Sequence, residues 1–388
     1  MKRIGLFSLL AALALPLSIL LVPDDADAIP AFARQVKQKC TYCHVAFPKL
    51  NEFGITFKSN GYRLQGTKGT DVWDIPAWPV AALTEIELEW DDYDKDARGH
   101  EDALTIMQPE VEVFWGTTLG PRISTFGEII VERGEGADLG PVFIQYNDLV
   151  GEAQANLRAG AYDVDFTFLS AARSIIFDGY AAEDLGFFGT AVGLEANGQI
   201  LPEDEGLTVR YAVGYTLDDQ DPDNISDANQ SDLSDSFYGT VELTFMEQTV
   251  GLHYQHQAGD FADADRWAIA AELHGGGAIL TLAWFDASMD NDDDTINEGD
   301  DLEGDDLLVE LLYPYDDYVF GARWENLNDD GFTGEGDREQ WTLHASWYTR
   351  PNVQLGAELR FIDFDETSSG ADDDDEAMKG RLIARFGF

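Results

Sequence analysis

The chain has 388 residues, with 74 acidic residues against 24 Lys and Arg and a formal net charge of −50. A polyanion such as nucleic acid is excluded as a partner by that charge, while cations are attracted. Cys40 and Cys43 are the only cysteines, too few and too close together for a disulfide-stapled fold.

Residues 1–28 read as a secretory signal peptide. Lys2 and Arg3 precede an apolar run from Ile4 to Val22, and Ala26-Asp27-Ala28 supplies a small-x-small cleavage pattern. Pro16 interrupts the run, which is barely long enough to span a bilayer as a helix. The mature chain is expected to begin near Ile29.

Residues 29–79 are expected to be a small cytochrome segment. Cys40-Thr41-Tyr42-Cys43-His44 is a C-x-x-C-H motif, the attachment signature of one covalent c-type haem. Each thiol adds to one vinyl group, and the adjacent imidazole supplies an axial nitrogen to the iron. Cys40, Cys43 and His44 are therefore the expected haem-binding residues. A zinc site needs more ligands than the segment has, and a thioredoxin-like pair needs a βαβ context that is absent. Leu50, Phe53 and Phe57 recur at helical spacing, so the segment is expected to be short and mostly helical. So small a segment needs burial supplied by the haem and by another wall.

No methionine and no second histidine lies between Ile29 and Pro79, so a sixth iron ligand has to come from elsewhere in the chain, from a lysine or amine, or from water. His253 and His344 are the candidates, and ordinary polar residues in a wet lumen is the competing reading of both. His274 also has inward parity but lies close to a turn, and Met107 and Met378 fall on the opposite parity.

Charge changes sign along the chain. Between Ile29 and Thr70 seven basic residues stand against Glu52 alone, whereas Asp71 to Phe388 carries 15 basic and 70 acidic residues. A basic plug inside an acidic body follows from charge and size.

Residues 80–388 read as a β-barrel. Glu85-Ile86-Glu87-Leu88-Glu89-Trp90 alternates acid with apolar, and Trp341, Leu343, Ala345 and Trp347 alternate with Thr342, His344 and Ser346, the period of a strand. Strands are expected near 80–92, 103–116, 121–132, 142–150, 154–164, 189–197, 206–217, 236–246, 248–257, 266–274, 278–286, 306–313, 317–326, 338–349, 352–363 and 377–388. Sixteen is an even number, as in bacterial single-chain barrels. Connections after even strands are mostly short. Those after odd strands (93–102, 133–141, 165–188, 218–235, 287–305, 327–337 and 364–376) are mostly longer. Short turns at one rim and long loops at the other is the plan of an outer-membrane barrel, with the long loops outside. Apolar faces then meet lipid. Glu242, Glu272, Glu310, Glu325 and Glu358 line the lumen with Arg323, Arg360, Arg381 and Arg385. The fold class is thus all-β, a 16-stranded antiparallel transmembrane barrel preceded by a segment that plugs its lumen. The chain closes on Phe388, a terminal aromatic similar to the recognition signal of outer-membrane proteins.

The runs Ile29-Pro30-Ala31-Phe32-Ala33-Arg34, Ala46-Phe47-Pro48-Lys49-Leu50-Asn51-Glu52-Phe53-Gly54 and Phe57-Lys58-Ser59-Asn60-Gly61-Tyr62 flank the haem motif. With that motif they resemble the head of fused monohaem cytochrome–porins of iron-oxidising bacteria, over about 35 residues. The resemblance implies one haem c on Cys40, Cys43 and His44 inside a sixteen-stranded barrel, and electrons taken from extracellular ferrous iron.

The functional expectation is electron transfer across the outer membrane, from ferrous iron or another extracellular redox partner to a soluble periplasmic carrier. A ferrous-iron oxidase activity would accompany it. Outer-membrane lipid is the surrounding partner. Rival readings are electron export to an extracellular acceptor, a passive porin with a structural haem plug, and a haem enzyme such as a peroxidase, for which no motif is present. The acidic runs Asp290 to Asp306 and Asp372 to Glu376 suit hard cations, with a merely solvated loop as the competing reading.

Overall fold

A computed structural model describes residues 31–75, 78–94, 103–106, 109–132, 136–201, 206–218, 234–258, 262–291, 302–330, 337–364 and 375–387. The signal peptide, Met107, Phe388 and most of the two acidic runs lie outside the described residues.

The body is a closed antiparallel barrel in which each strand pairs with its neighbours in sequence. Its strands are β1 (Val80–Asp94), β2 (Ala103–Ile106 and Glu110–Gly120), β3 (Ile123–Glu132), β4 (Gly136–Tyr146), β5 (Asn156–Asp163), β6 (Thr190–Ile200), β7 (Thr208–Asp218) and β8 (Ser234–Phe245). The circuit continues through β9 (Gln248–Ala258), β10 (Ala262–Gly275), β11 (Ala278–Asn291), β12 (Leu302–Tyr315), β13 (Tyr318–Asp330), β14 (Arg338–Arg350), β15 (Val353–Phe364) and β16 (Asp375–Gly387). β16 pairs with β1, with Arg381 opposite Glu89 and Arg385 opposite Glu85. Both arginines form ion pairs there, Arg381 with Glu87 and Glu89 and Arg385 with Glu85. Complementary charge thus fixes the closing register from the lumen side.

Every strand pairs with both neighbours, so no edge is left to seed aggregation. On β14 Gln340, Thr342, His344 and Ser346 are buried and Trp341, Leu343 and Trp347 are exposed. This is the expected inversion, polar inward and apolar outward.

The fourth strand differs from the sequence expectation. It starts at Gly136 rather than 142 and ends at Tyr146, leaving the connection 147–155 at the short-turn rim. Gly140-Pro141 lies inside it. A proline cannot donate to the ladder, and the β3–β4 register shifts between Gly127 and Ile129. A bulge of this kind admits a proline that the alternation pattern reads as a strand end.

Sixteen strands enclose a channel unless something fills it. Two insertions do. The N-terminal segment enters from the short-turn rim. It holds α1 (Ala31–Val36), a hairpin of His44–Ala46 with Lys49–Leu50, and α2 (Glu52–Ser59). It is less helical than expected, because turns and the hairpin occupy most of it. At the rim Arg63 pairs with Asp148 at 2.7 Å, Gln35 donates to the Gly116 carbonyl and Tyr348 donates to the Phe47 carbonyl. Around the wall, Lys49 pairs with Glu272, Arg210 pairs with Glu52, and Gln199 donates to the Thr56 carbonyl.

The second insertion is residues 164–189, between β5 and β6. The sequence expectation made 165–188 one of the long outer loops. Instead it folds back into the barrel, with Phe166, Phe168, Leu169, Ile175, Ile176 and Leu185 buried. Its backbone is tied to lumen side chains. Glu358 accepts from the Phe177 and Asp178 amides, Glu325 from the Ala181 amide, and Arg323 donates to the Asp178 carbonyl at 2.9 Å. Ile55 of α2, Phe166 and Leu169 of this segment, and Ala268, Phe285 and Leu308 of the wall share one apolar cluster. Plug, inserted segment and wall therefore pack as a single core, which is why so short a plug keeps its shape.

Candidate functional site

The site is built around the Cys40–Tyr42 turn, closed by the Cys43 amide donating to the Cys40 carbonyl at 3.1 Å. This turn puts both thiols on one side of a single loop. They are not joined to each other, and burial pushes both above the ordinary thiol range.

Asn51 fixes the turn against α2. Its amide donates to the Cys43 carbonyl at 2.9 Å, its side-chain NH2 donates to the Tyr42 carbonyl, and its side-chain oxygen accepts from the Gly54 amide. It is thus the N-cap of α2 and the strut of the thiol turn at once. Gly54 completes the contact. A Cβ there would lie 2.1 Å from the Cys43 carbonyl oxygen, so only glycine permits the approach.

His44 Nδ1 lies 3.0 Å from the Pro48 carbonyl oxygen. A carbonyl can only accept, so Nδ1 carries the proton and Nε2 keeps its lone pair. Burial holds the ring below its ordinary value, which keeps the imidazole neutral, the form that ligates a metal.

Cys40, Cys43 and His44 line one cavity of about 600 Å³, within the roughly 300–1,000 Å³ typical of cofactor sites. Phe32, Phe57 and Tyr62 of the N-terminal segment line it, as do Arg173, Phe177 and Tyr180 of the inserted segment. Phe32 stacks on Tyr62 with centroids 4.6 Å apart, giving the cavity a flat aromatic wall. Two thiols, one imidazole nitrogen and an aromatic slot fit a covalently held porphyrin. Among the described residues no group of three or more His, Cys, Asp or Glu converges to hold a bare metal ion.

Neither expected sixth-ligand histidine reaches this cavity. His253 is buried elsewhere in the wall, with Nδ1 2.8 Å from Thr240 Oγ1 and its ring near Phe166 and Tyr238. His344 has both nitrogens engaged, Nδ1 2.7 Å from Glu358 Oε1 and Nε2 2.5 Å from Ser346 Oγ. Inward parity placed both rings on the lumen face, but it says nothing of depth, and the inserted segment packs over them through Phe166 and Phe177. The cavity is lined instead by Lys58. Burial first, then the neighbouring Arg173 charge, lowers this lysine to about 8, with Asp165 and Asp163 opposing. The sequence reading singled out neither Lys58 nor the inserted segment. The available signal for the latter was composition, since residues 165–188 hold five phenylalanines, unlike the other long connections.

No family model matches the chain, and no curated protein matches it. Solved structures do. An anion-selective porin from Comamonas acidovorans aligns with a TM-score of 0.59 at 13% identity, over 80% of this chain and 99% of its own. Salmonella typhi OmpF, in complex with daunomycin, aligns at 0.56 and 13%, over 80% and 97%. Pseudomonas putida OprB aligns at 0.54 and 11%, over 80% and 94%. The fold is that of an outer-membrane porin. At these identities the likeness speaks for the barrel alone.

Proposed function

We propose that this protein is an outer-membrane electron-transfer protein built around one covalent haem c. The observation that carries the reading is that Cys40, Cys43 and His44 line one cavity inside the barrel, with His44 Nδ1 held at the Pro48 carbonyl. When bound, the haem supplies a reversible one-electron ferric/ferrous couple. The chain's own residues do the rest. Cys40 and Cys43 would hold the ring through two thioethers, and His44, oriented by Pro48, would ligate the iron. Phe32, Phe57 and Tyr62 exclude water, and the barrel insulates the centre from lipid. In this reading residues 29–79 form the haem segment, seated in the periplasmic half of the lumen, and the long acidic loops face outward.

Ferrous iron is the proposed donor and a soluble periplasmic protein the acceptor. Strongly acidic outer connections favour a cationic donor by raising its local concentration. Export along the same route differs only in direction. The porin likeness favours a second reading, a passive pore with a structural haem. The filled lumen, in which Lys49 meets both Glu272 and the Phe168 carbonyl, argues against free passage.

Stopped-flow absorbance of the purified oxidised protein mixed with ferrous iron tests the proposal, with a Cys40→Ala plus Cys43→Ala variant as control. A ferrous-haem α-band growing to near stoichiometry supports inward transfer. A haem reduced by dithionite but not by ferrous iron sinks the iron-oxidising reading and leaves export or a pore.

A further inference from the structure

Part of the positive charge of the N-terminal segment is consumed by its docking. Lys49 pairs with Glu272 and Arg63 with Asp148. Lys58 is half-buried in the cavity wall. The Arg34 guanidinium is within hydrogen-bond reach of the Trp78 and Val80 carbonyls. Lys37 and Lys39 are exposed instead, immediately before Cys40 in the chain.

These two lysines lie in a surface groove of about 620 Å³ that Arg34, Thr41 and Tyr42 also line. No carboxylate lines it among the described residues. Ala33, Gln38 and Lys39 line both this groove and the cavity of Cys40, Cys43 and His44. A single layer of side chains therefore separates the groove from the cofactor cavity. Tyr42, 46% exposed, packs on Phe53 with centroids 4.3 Å apart. It gives the groove a rigid aromatic edge of the kind that anchors protein contacts.

We propose that this groove is the docking surface for a soluble redox protein presenting an acidic face. The inference rests on the electron-transfer reading and adds where, and by what chemistry, the acceptor binds. From residue 71 onward the chain carries 70 acidic and 15 basic residues, so an acidic partner is repelled by the body and attracted to one place. That place adjoins the Cys40–Tyr42 turn, since Thr41 and Tyr42 line it. Complementary charge steers encounter and is screened by salt. The step is a one-electron exchange: the iron goes from ferrous to ferric as the partner's metal is reduced by one, with no bond made and no proton moved.

The test uses the reduced holoprotein in detergent, with oxidised plastocyanin as an acidic blue-copper probe and oxidised mitochondrial cytochrome c as a basic one. Loss of the α-band is followed by stopped flow. Electrostatic steering changes association rates by about tenfold or more. Plastocyanin should oxidise the protein at a rate that falls about tenfold from low to high salt. A Lys37→Glu plus Lys39→Glu variant should lose about tenfold at low salt and reverse the salt slope. Lys68→Glu, exposed on the same segment but outside the groove, should change neither. The unaltered α-band spectrum of each variant reports that the haem pocket is intact. A charge-reversed variant that reacts with plastocyanin like the parent overturns the docking surface while leaving electron transfer standing. So does a parent that prefers cytochrome c, or a groove whose reversal alters only binding to anionic vesicles. A purified chain with no covalent haem band overturns the electron-transfer reading itself, and this proposal with it.

Discussion

Lys49 Nζ lies 2.6 Å from Glu272 Oε2 and 3.2 Å from the Phe168 carbonyl oxygen, in a site where both charged side chains are less than a tenth exposed. One ammonium thus joins the three parts of the molecule: the N-terminal segment, the wall strand β10 and the inserted segment. Removing one partner of a buried pair leaves a desolvated charge and costs about 3–5 kcal/mol. Lys49→Met should therefore loosen the plug by about 3 kcal/mol. Hydrogen exchange of the α2 amides should be roughly a hundredfold faster, at ~1.4 kcal/mol per factor of ten. The double variant Lys49→Met plus Glu272→Met should recover most of that loss. A single variant with unchanged α2 exchange would show that the pair does not hold the plug.

Gly54 offers a prediction opposite in sign to the helix rule. Replacing a helix-interior glycine by alanine ordinarily gains about 1 kcal/mol. Here the new methyl would lie 2.1 Å from the Cys43 carbonyl oxygen and 2.9 Å from Leu50. The carbonyl belongs to the thiol turn and cannot swing away without moving Cys43. Gly54→Ala should cost about 1–3 kcal/mol, the usual range for overpacking, and should lower covalent haem loading as read by haem staining on a denaturing gel. Normal loading would mean that α2 slides away from the turn at little cost.

The rim attachment sets a pH dependence. Hydrogen bonds from Arg63 hold Asp148 below its ordinary carboxyl value of 3.8, with burial opposing and the Ala153 amide helping. The unfolded chain binds the proton more readily, so the group stabilises attachment fully above that ordinary value. The contribution is lost as pH falls through the lowered folded value. Protease protection of residues 60–70 should be flat from about pH 7 to 5 and fall below about pH 4. Asp148→Asn should start less protected and lose this acid step. An acid step that survives in that variant would assign it to another carboxylate.

How much of this could be read in advance depends on the range of the interaction. Strand alternation is local, so Trp341, Leu343 and Trp347 announced their outward face, and Glu325 and Glu358 their inward one. The C-x-x-C-H turn is equally local, and Cys40, Cys43 and His44 do meet at one cavity. What the sequence hid was depth inside the lumen. His253 and His344 have the right parity yet sit behind Phe166 and Phe177. The alanines 264, 268, 270, 283 and 287 are all buried. Small residues at alternate positions of β10 and β11 leave room for the inserted segment. Each reads as unremarkable alone, because the cavity they create is filled by residues about a hundred positions away.

That filling yields a prediction about passage through the barrel. A sixteen-stranded barrel with only a wet lumen conducts as a porin does. Here the described lumen holds Ile55, Phe166, Leu169 and Leu185 in one apolar core with wall residues Phe285 and Leu308. Ions crossing it would have to desolvate against that core, at a cost of several kcal/mol per charge. Planar-bilayer recordings of the intact protein should therefore show no porin-sized steps. Deleting residues 31–70 removes Ile55 and the Lys49 anchor, and should open conductance steps smaller than a porin's, because the inserted segment stays tied to Glu325 and Glu358. Retained heat-modifiable migration on a gel would show that the shortened barrel still folds. Porin-sized steps in the intact protein would mean that plug and inserted segment leave the lumen for part of the time. The passive-pore reading would then displace electron transfer as the simpler account.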